Sequence, residues 1–254
     1  IFSPDRKHGV KLYVKRIFIT DDCDELCPPW LRFMKGLIDS EDLPLNVSRE
    51  MLQNNPALAR IKTALVKRVL GDLKKMANKK PEDYATFWEN FGAVLKEGIY
   101  EDQDNREAVL KLSRFHSTHD DALTSLEDYI GRMKEGQEAI YYISGEDIGA
   151  LTKSPQLEGF RARGIEVLMM TDPVDEFWLP AVGEHEGKPL RSATRSGNDL
   201  DAIKEEGADD SDKKDDKKAD EENVPGLDAL VAMVKLELGD SIKDVRISNR
   251  LTDS

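Results

Sequence analysis

Apolar positions along this chain change their spacing about midway, and the change separates regions of different architecture. The first pattern lies at residues 11–19 (KLYVKRIFI), where Leu12, Val14, Ile17 and Ile19 are the β-branched and apolar positions. That alternation predicts a strand, imperfect at the Lys15-Arg16 pair. The acids between 21 and 25 and the Pro28-Pro29 pair then predict a turn. Residues 30–38 are apolar enough for burial, but their period fits helix and strand equally. Over 39–49 (DSEDLPLNVSR), Pro44, Asn46 and Ser48 compete with regular backbone pairing and predict a loop.

The longest periodic run follows. Asn55 suits an N-cap and Pro56 the first helical position, where its missing N–H costs nothing. Leu58, Ile61, Leu65, Val69, Leu73 and Met76 then recur at steps of three and four, with Lys62, Lys67, Lys74 and Lys75 largely off the stripe. This is an amphipathic helix of about five turns. Pro81 opens a second helix, with Tyr84, Phe87, Trp88, Phe91 and Leu95 toward a core, and a third spans 105–112.

Beyond Thr124 the rhythm shortens. The spacing predicts a helix over 125–133, a strand over 139–143 (AIYYI), and helices over 147–152 and 156–163. Gly164 ends the last of these before a strand over 165–170 (IEVLMM), and Asp172-Pro173 starts a helix through Phe177 and Leu179. Strands apolar on both faces that alternate with helices predict a parallel or mixed sheet covered on each side. Residues 198–223 hold Leu200 and Ile203 as their large apolar side chains and are expected to form a flexible linker. After Pro225, Leu227, Leu230, Val231, Val234, Leu236 and Leu238 predict a helix of about four turns ending near Gly239, with a strand to follow at 245–247.

The expected fold class is therefore α/β: αβα layers joined by a helical connector, followed by a flexible linker and a truncated C-terminal segment. The boundaries are 1–54 for the end of a first α/β layer, 55–122 for the helical connector and 123–197 for a small αβα subdomain. The charged linker takes 198–223, and 224–254 starts a further domain.

Charge refines this picture. The chain has 254 residues and a net charge of −13, much of it local, since residues 201–222 hold eleven acids against five lysines, a net −6. The remainder is mildly acidic, which argues against sequence-independent nucleic-acid binding. No run approaches the ~18 consecutive apolar residues of a membrane span, and a soluble protein is expected. The chain opens Ile1-Phe2-Ser3, without Met or an apolar signal segment, as an excised piece or a processed chain would. Cys23 and Cys27 are the only cysteines, too few for a disulfide framework, so a reducing cytosol is expected.

Candidate chemistry is sparse. No metal site is expected: the nearest histidine in sequence to the cysteines is His8. His116 and His119, followed by Asp120 and Asp121, read as a solvated turn because nothing completes a ligand set. Tyr141 and Tyr142 read as packing. There is no G-x-x-x-x-G-K-[ST] phosphate loop, G-x-G-x-x-G turn, G-x-S-x-G elbow or H-E-x-x-H. The loop 42–53 differs in placing Arg49 and Gln53 four apart where a long helix begins. Helix N-termini gather N–H groups and positive dipole, which favour an anion. An Arg beside such an end can grip a phosphate through its forked donors. On residue types alone, a surface charge pair between Arg49 and Glu50 is the commoner explanation.

Longer motifs change the balance. Lys11-Leu12-Tyr13-Val14, the run 39–53 (DSEDLPLNVSREMLQ), residues 105–117, LTSLEDYIGRM at 123–133, IYYISGE at 140–146 and TDPVDE at 171–176 cover nearly the whole chain. Together they resemble the middle region of heat-shock protein 90 chaperones, in the bacterial form. The resemblance implies a dimer with an amino-terminal ATP-binding domain, a middle domain that aids hydrolysis and meets clients, and a carboxy-terminal dimerisation domain. It implies that Arg49, in the S-R-E-M-L-Q motif, reaches the γ-phosphate held by the amino-terminal domain, and that Gln53, one turn later, supports it. ATP with Mg2+ is the implied cofactor of the full-length protein, with none tightly bound to this piece, which alone is expected to be inactive. The implied partners are client polypeptides, the protein's own N-terminal ATPase domain and a second copy, in the cytoplasm, with no nucleic acid and no membrane. The rival reading is a passive polypeptide-binding module in which Arg49 is structural. Trp178, beside Glu176, would suit such a surface if exposed, although a core Trp is commoner.

Overall fold

The computed structural model describes residues 9–21, 25–43, 55–195, 203 and 227–238. The first alternating run is a hairpin and not one strand: β1 (Gly9–Val14) pairs antiparallel with β2 (Ile17–Thr20). The Lys15-Arg16 irregularity is the turn itself, with both residues in the left-handed region (φ 50° and 67°). Positive φ at both central positions gives a turn whose twist matches that of the paired strands. The Arg16 N–H donates to Asp39 Oδ1 at 3.0 Å, which ties the turn down. Val10, Leu12 and Val14 face the core, whereas Ile17 is exposed despite the alternation.

The ambiguous stretch at 30–38 divides into a 3-10 turn (Pro29–Leu31) and β3 (Lys35–Ser40), which lies parallel to β1 and gives the order β2-β1-β3. Asp39 and Ser40, expected in a loop, thus close a strand. Helix α1 (Pro56–Lys79) starts where its cap predicts, the Asn55 side chain accepting the Ala57 N–H at 2.9 Å. Its buried face is centred on Leu58, Val66, Val69, Leu70 and Leu73, with Ile61, Leu65 and Met76 at the margins. In α2 (Pro81–Glu101), Tyr84, Trp88 and Leu95 are buried as expected. Phe91 is not: it is 39% exposed and stacks against Phe33 and Phe87 at the rim. A short α3 (Arg106–Leu112) completes the helical region.

The second sheet has five strands in the order β4-β6-β5-β8-β7: β4 (His116–Ser117), β5 (Ile140–Ser144), β6 (Leu168–Met170), β7 (Glu184–His185) and β8 (Lys188–Ser192). The central β6-β5-β8 pairs are parallel and both outer pairs antiparallel, the mixed sheet that the alternation of elements predicts. Alternate residues feed two cores. Ile140, Leu168 and Met170 join the large cluster with α1 and α2, while Tyr141, Ile143 and Met169 join a smaller one. That smaller core is covered by α5 (Ile148–Thr152) and α6 (Glu158–Ala162), with α4 (Leu126–Gly131) and α7 (Asp175–Val182) on the other face. The chain is of mixed α/β class.

Ile203, in the stretch expected to be a linker, lies among the described residues. It is buried in the smaller core, and the Arg163 Nε–H donates to its carbonyl at 3.2 Å. The rest of 198–223 lies outside the described residues, as does the strand expected at 245–247. Helix α8 (Leu227–Leu238) forms where its apolar positions predict, with Leu230, Met233 and Leu236 exposed.

Candidate functional site

Arg49 and Gln53 lie outside the described residues, together with Cys23 and His8. What the structure describes is the two elements that flank residues 44–54 in sequence. Strand β3 ends at Ser40, Leu43 is buried against the main core, and the Asn55 cap opens α1. No acid occupies the first turn of α1, so no side-chain carboxylate there offsets the positive end of a 24-residue helix. A groove of about 770 Å3 runs beside this end. Pro28, Pro29 and Trp30 line it with Lys62 and Lys67 from α1, and Glu101, Asp102 and Asp104 supply acids opposite.

Two ion pairs, each with one member deeply buried on α2, join the layers. Arg32 grips Glu97 with both terminal guanidinium nitrogens, at 2.5 and 2.9 Å, and this pairing holds the guanidinium pKa above its ordinary value. One residue earlier on α2, Lys96 Nζ donates to Asp172 Oδ2 at 2.8 Å and to Asp175 Oδ1 at 3.0 Å, and lies 4.8 Å from the Phe115 ring centre. Asp175 also accepts the Trp178 indole N–H (2.7 Å) and the Asp172 backbone N–H (3.1 Å). Burial pushes the Asp175 carboxyl up from the ordinary range, and the Lys96 ammonium and the Trp178 indole oppose it. The TDPVDE motif therefore fixes the start of α7 to α2. Sequence reading passed over Lys96, Glu97 and Arg32. The available signal was that charged residues 96 and 97 fall between buried Leu95 and Ile99.

Trp178 is fully buried and is not a client-facing residue; its indole serves the Asp175 network. His116 belongs to β4 and pairs with Met169, and only His119, exposed and 3.9 Å from Asp120, sits in the turn that sequence assigned to both. Tyr141 packs in the smaller core, its ring 5.0 Å from that of Phe160. The Cys27 thiol is buried near the Leu31 carbonyl (3.6 Å), and burial pushes its pKa up to about 11. No group of three or more His, Cys, Asp or Glu that could hold a metal occurs among the described residues. No helix among them is long and apolar enough to cross a membrane.

Comparison with known proteins places this frame. The family model described as Hsp90 protein matches residues 2–254. Chaperone protein HtpG of Paramagnetospirillum magneticum is 58% identical over 255 residues, covering 100% of this chain and 40% of that protein. HtpG of Roseobacter denitrificans is 55% identical and that of Rhodospirillum rubrum 53%, with the same coverage. The chain spans about 40% of the length of these curated relatives. A solved structure described as the middle domain of a Plasmodium falciparum heat shock protein is 34% identical, with a TM-score of 0.64 over 76% of each chain. The chain belongs to the Hsp90 family, with bacterial HtpG proteins among its relatives and the middle-domain fold over about three quarters of its length.

Proposed function

We propose that this chain is the part of an ATP-dependent chaperone that completes the hydrolytic site and contributes client contacts. Within it, 1–54 is the end of the first middle-domain layer, 55–122 the helical connector and 123–197 the small αβα subdomain. Residues 198–223 form the charged linker and 224–254 the start of the C-terminal domain. Arg49 meets the γ-phosphate of ATP, with its Mg2+, held by the amino-terminal domain of the same protein. Gln53 holds that arrangement from one turn away. A second copy completes the dimer, clients are polypeptides, and the compartment is the cytoplasm. The observation that carries this reading is the S-R-E-M-L-Q run leading directly into a capped helix whose positive end has no acid in its first turn. The passive-module alternative loses its motivating residue, because Trp178 is buried.

The test is steady-state ATPase and nucleotide affinity of Arg49→Ala, Arg49→Lys and Gln53→Ala in the full-length protein. A residue that acts on the transition state lowers turnover while leaving ATP affinity nearly intact. Arginine fingers elsewhere contribute ~10³–10⁵ in rate, and less is expected here if domain closure limits turnover. Arg49→Lys should rescue poorly, since an ammonium loses the planar fork, and Gln53→Ala should be milder. Normal turnover per folded molecule with a lowered melting temperature would make Arg49 structural.

A further inference from the structure

We infer that Lys96 and Glu97, adjacent on α2, form a charge-coupled crosspiece that fixes the orientation of the two α/β layers relative to each other. Consecutive residues on a helix point about 100° apart, so a neighbouring Lys and Glu can reach in different directions. Here they do so inside the protein: Lys96 is 3% exposed and Glu97 5%. Glu97 turns to Arg32, which follows the 3-10 turn and precedes β3 of the first sheet. Lys96 turns to Asp172 and Asp175, which follow β6 of the second sheet and start α7. No other adjacent pair among the described residues has two buried charges bonded to different sheets' connections.

Two features make this a positioning device and not simply two stabilising pairs. Buried ion pairs contribute little beyond what an apolar replacement would, but they demand accurate geometry. Both ends supply it, with two bonds from the Arg32 fork and an Asp175 carboxylate shared with the Trp178 indole. Neighbouring opposite charges also lower the cost of burying each other, so loss of the Glu97 charge raises the cost of burying Lys96. Close contact leaves little slack: a Cβ on Gly98 would come within 2.7 Å of the Trp30 ring. The coupling requires nothing of Arg49, so it stands or fails separately from the hydrolytic reading.

The experiment is hydrogen exchange, by mass spectrometry for amides and NMR for the three indole N–H groups, on the 254-residue chain carrying Glu97→Gln, which keeps the shape and removes the charge. The expected result is exchange at least tenfold faster at α7 and the Trp178 indole, on the Lys96 side of the helix, while α6 keeps its protection. Charge exchange, Arg32→Glu with Glu97→Arg, rebuilds the local pair but sets a second cation beside Lys96, so α7 should stay fast-exchanging. Arg32→Gln with Glu97→Gln, which leaves neither member of that pair charged, is the reserve variant if Glu97→Gln does not fold. Faster exchange confined to the Arg32 neighbourhood would mean two independent pairs, and equal acceleration of every element would mean only global destabilisation. Either result overturns the proposal.

Discussion

Replacing Lys96 by Met keeps most of the side chain's length and removes its charge, leaving Asp175 buried without its ammonium partner. Removing one member of a buried ion pair typically costs about 3–5 kcal/mol, because the other charge is left uncompensated. The structure places this case near the lower end. Asp172 has a side chain 32% exposed and can rehydrate, so its lost contact adds less than about 1 kcal/mol. Asp175, 1% exposed, retains the Trp178 indole and the Asp172 N–H as donors. A loss of about 3 kcal/mol follows, or roughly 6–12 °C in melting temperature for a chain of this size. The deficit should also depend on pH. Burial already holds the Asp175 carboxyl above its ordinary range, and removing Lys96 takes away the largest opposing influence. A carboxyl whose folded pKa is raised lends stability while protonated and loses it as pH rises through that folded value. The variant should therefore be weakest near neutrality and recover toward wild type as pH falls into the carboxylate range. Thermal melts followed by circular dichroism at about pH 7.5 and about pH 5 measure both quantities. A deficit below about 1 kcal/mol, or one that grows on acidification, would refute the assignment of a buried, charge-dependent contact.

Gly98→Ala should cost about 1–3 kcal/mol by overpacking, since its Cβ would lie 2.7 Å from the Trp30 ring; an unchanged urea midpoint would show that Trp30 has room to move. Cys27 should resist thiol reagents in the native state, because the thiol is buried and its pKa is raised to about 11. Peptide-resolved labelling at that residue should rise with urea in step with global unfolding, and fast native labelling would contradict the burial.

Much of the fold was legible because its longest helices carry unbroken apolar periods with matching caps. Asn55-Pro56 and Pro81 place the starts of α1 and α2 without reference to tertiary structure. The misreadings have local causes. A two-residue turn with both φ positive usually announces itself through Asn or Gly, and here Lys15 and Arg16 fill it, so a hairpin passes for one strand. Strands β4 and β7 are two residues each, too short for any alternation to register. Pro189 argues against a strand where β8 in fact runs near the sheet's edge.

The junction was illegible for a different reason. Periodicity reports which face of a helix is buried, and it assumes that one face stays wet. The last turns of α2 break that assumption, since every residue from Leu95 to Ile99 is buried. A helix enclosed on all sides gives no polar stripe by which to phase it, and its charged residues resemble ordinary surface positions. Their partners lie 65 and 79 residues away in sequence, beyond any window in which spacing carries information. What the chain does offer is chemical. Two consecutive charges enclosed by apolar neighbours must be compensated, so Lys96-Glu97 between Leu95 and Ile99 requires an anion and a cation from elsewhere. Arg32 meets one requirement, and the Asp172/Asp175 pair of TDPVDE meets the other.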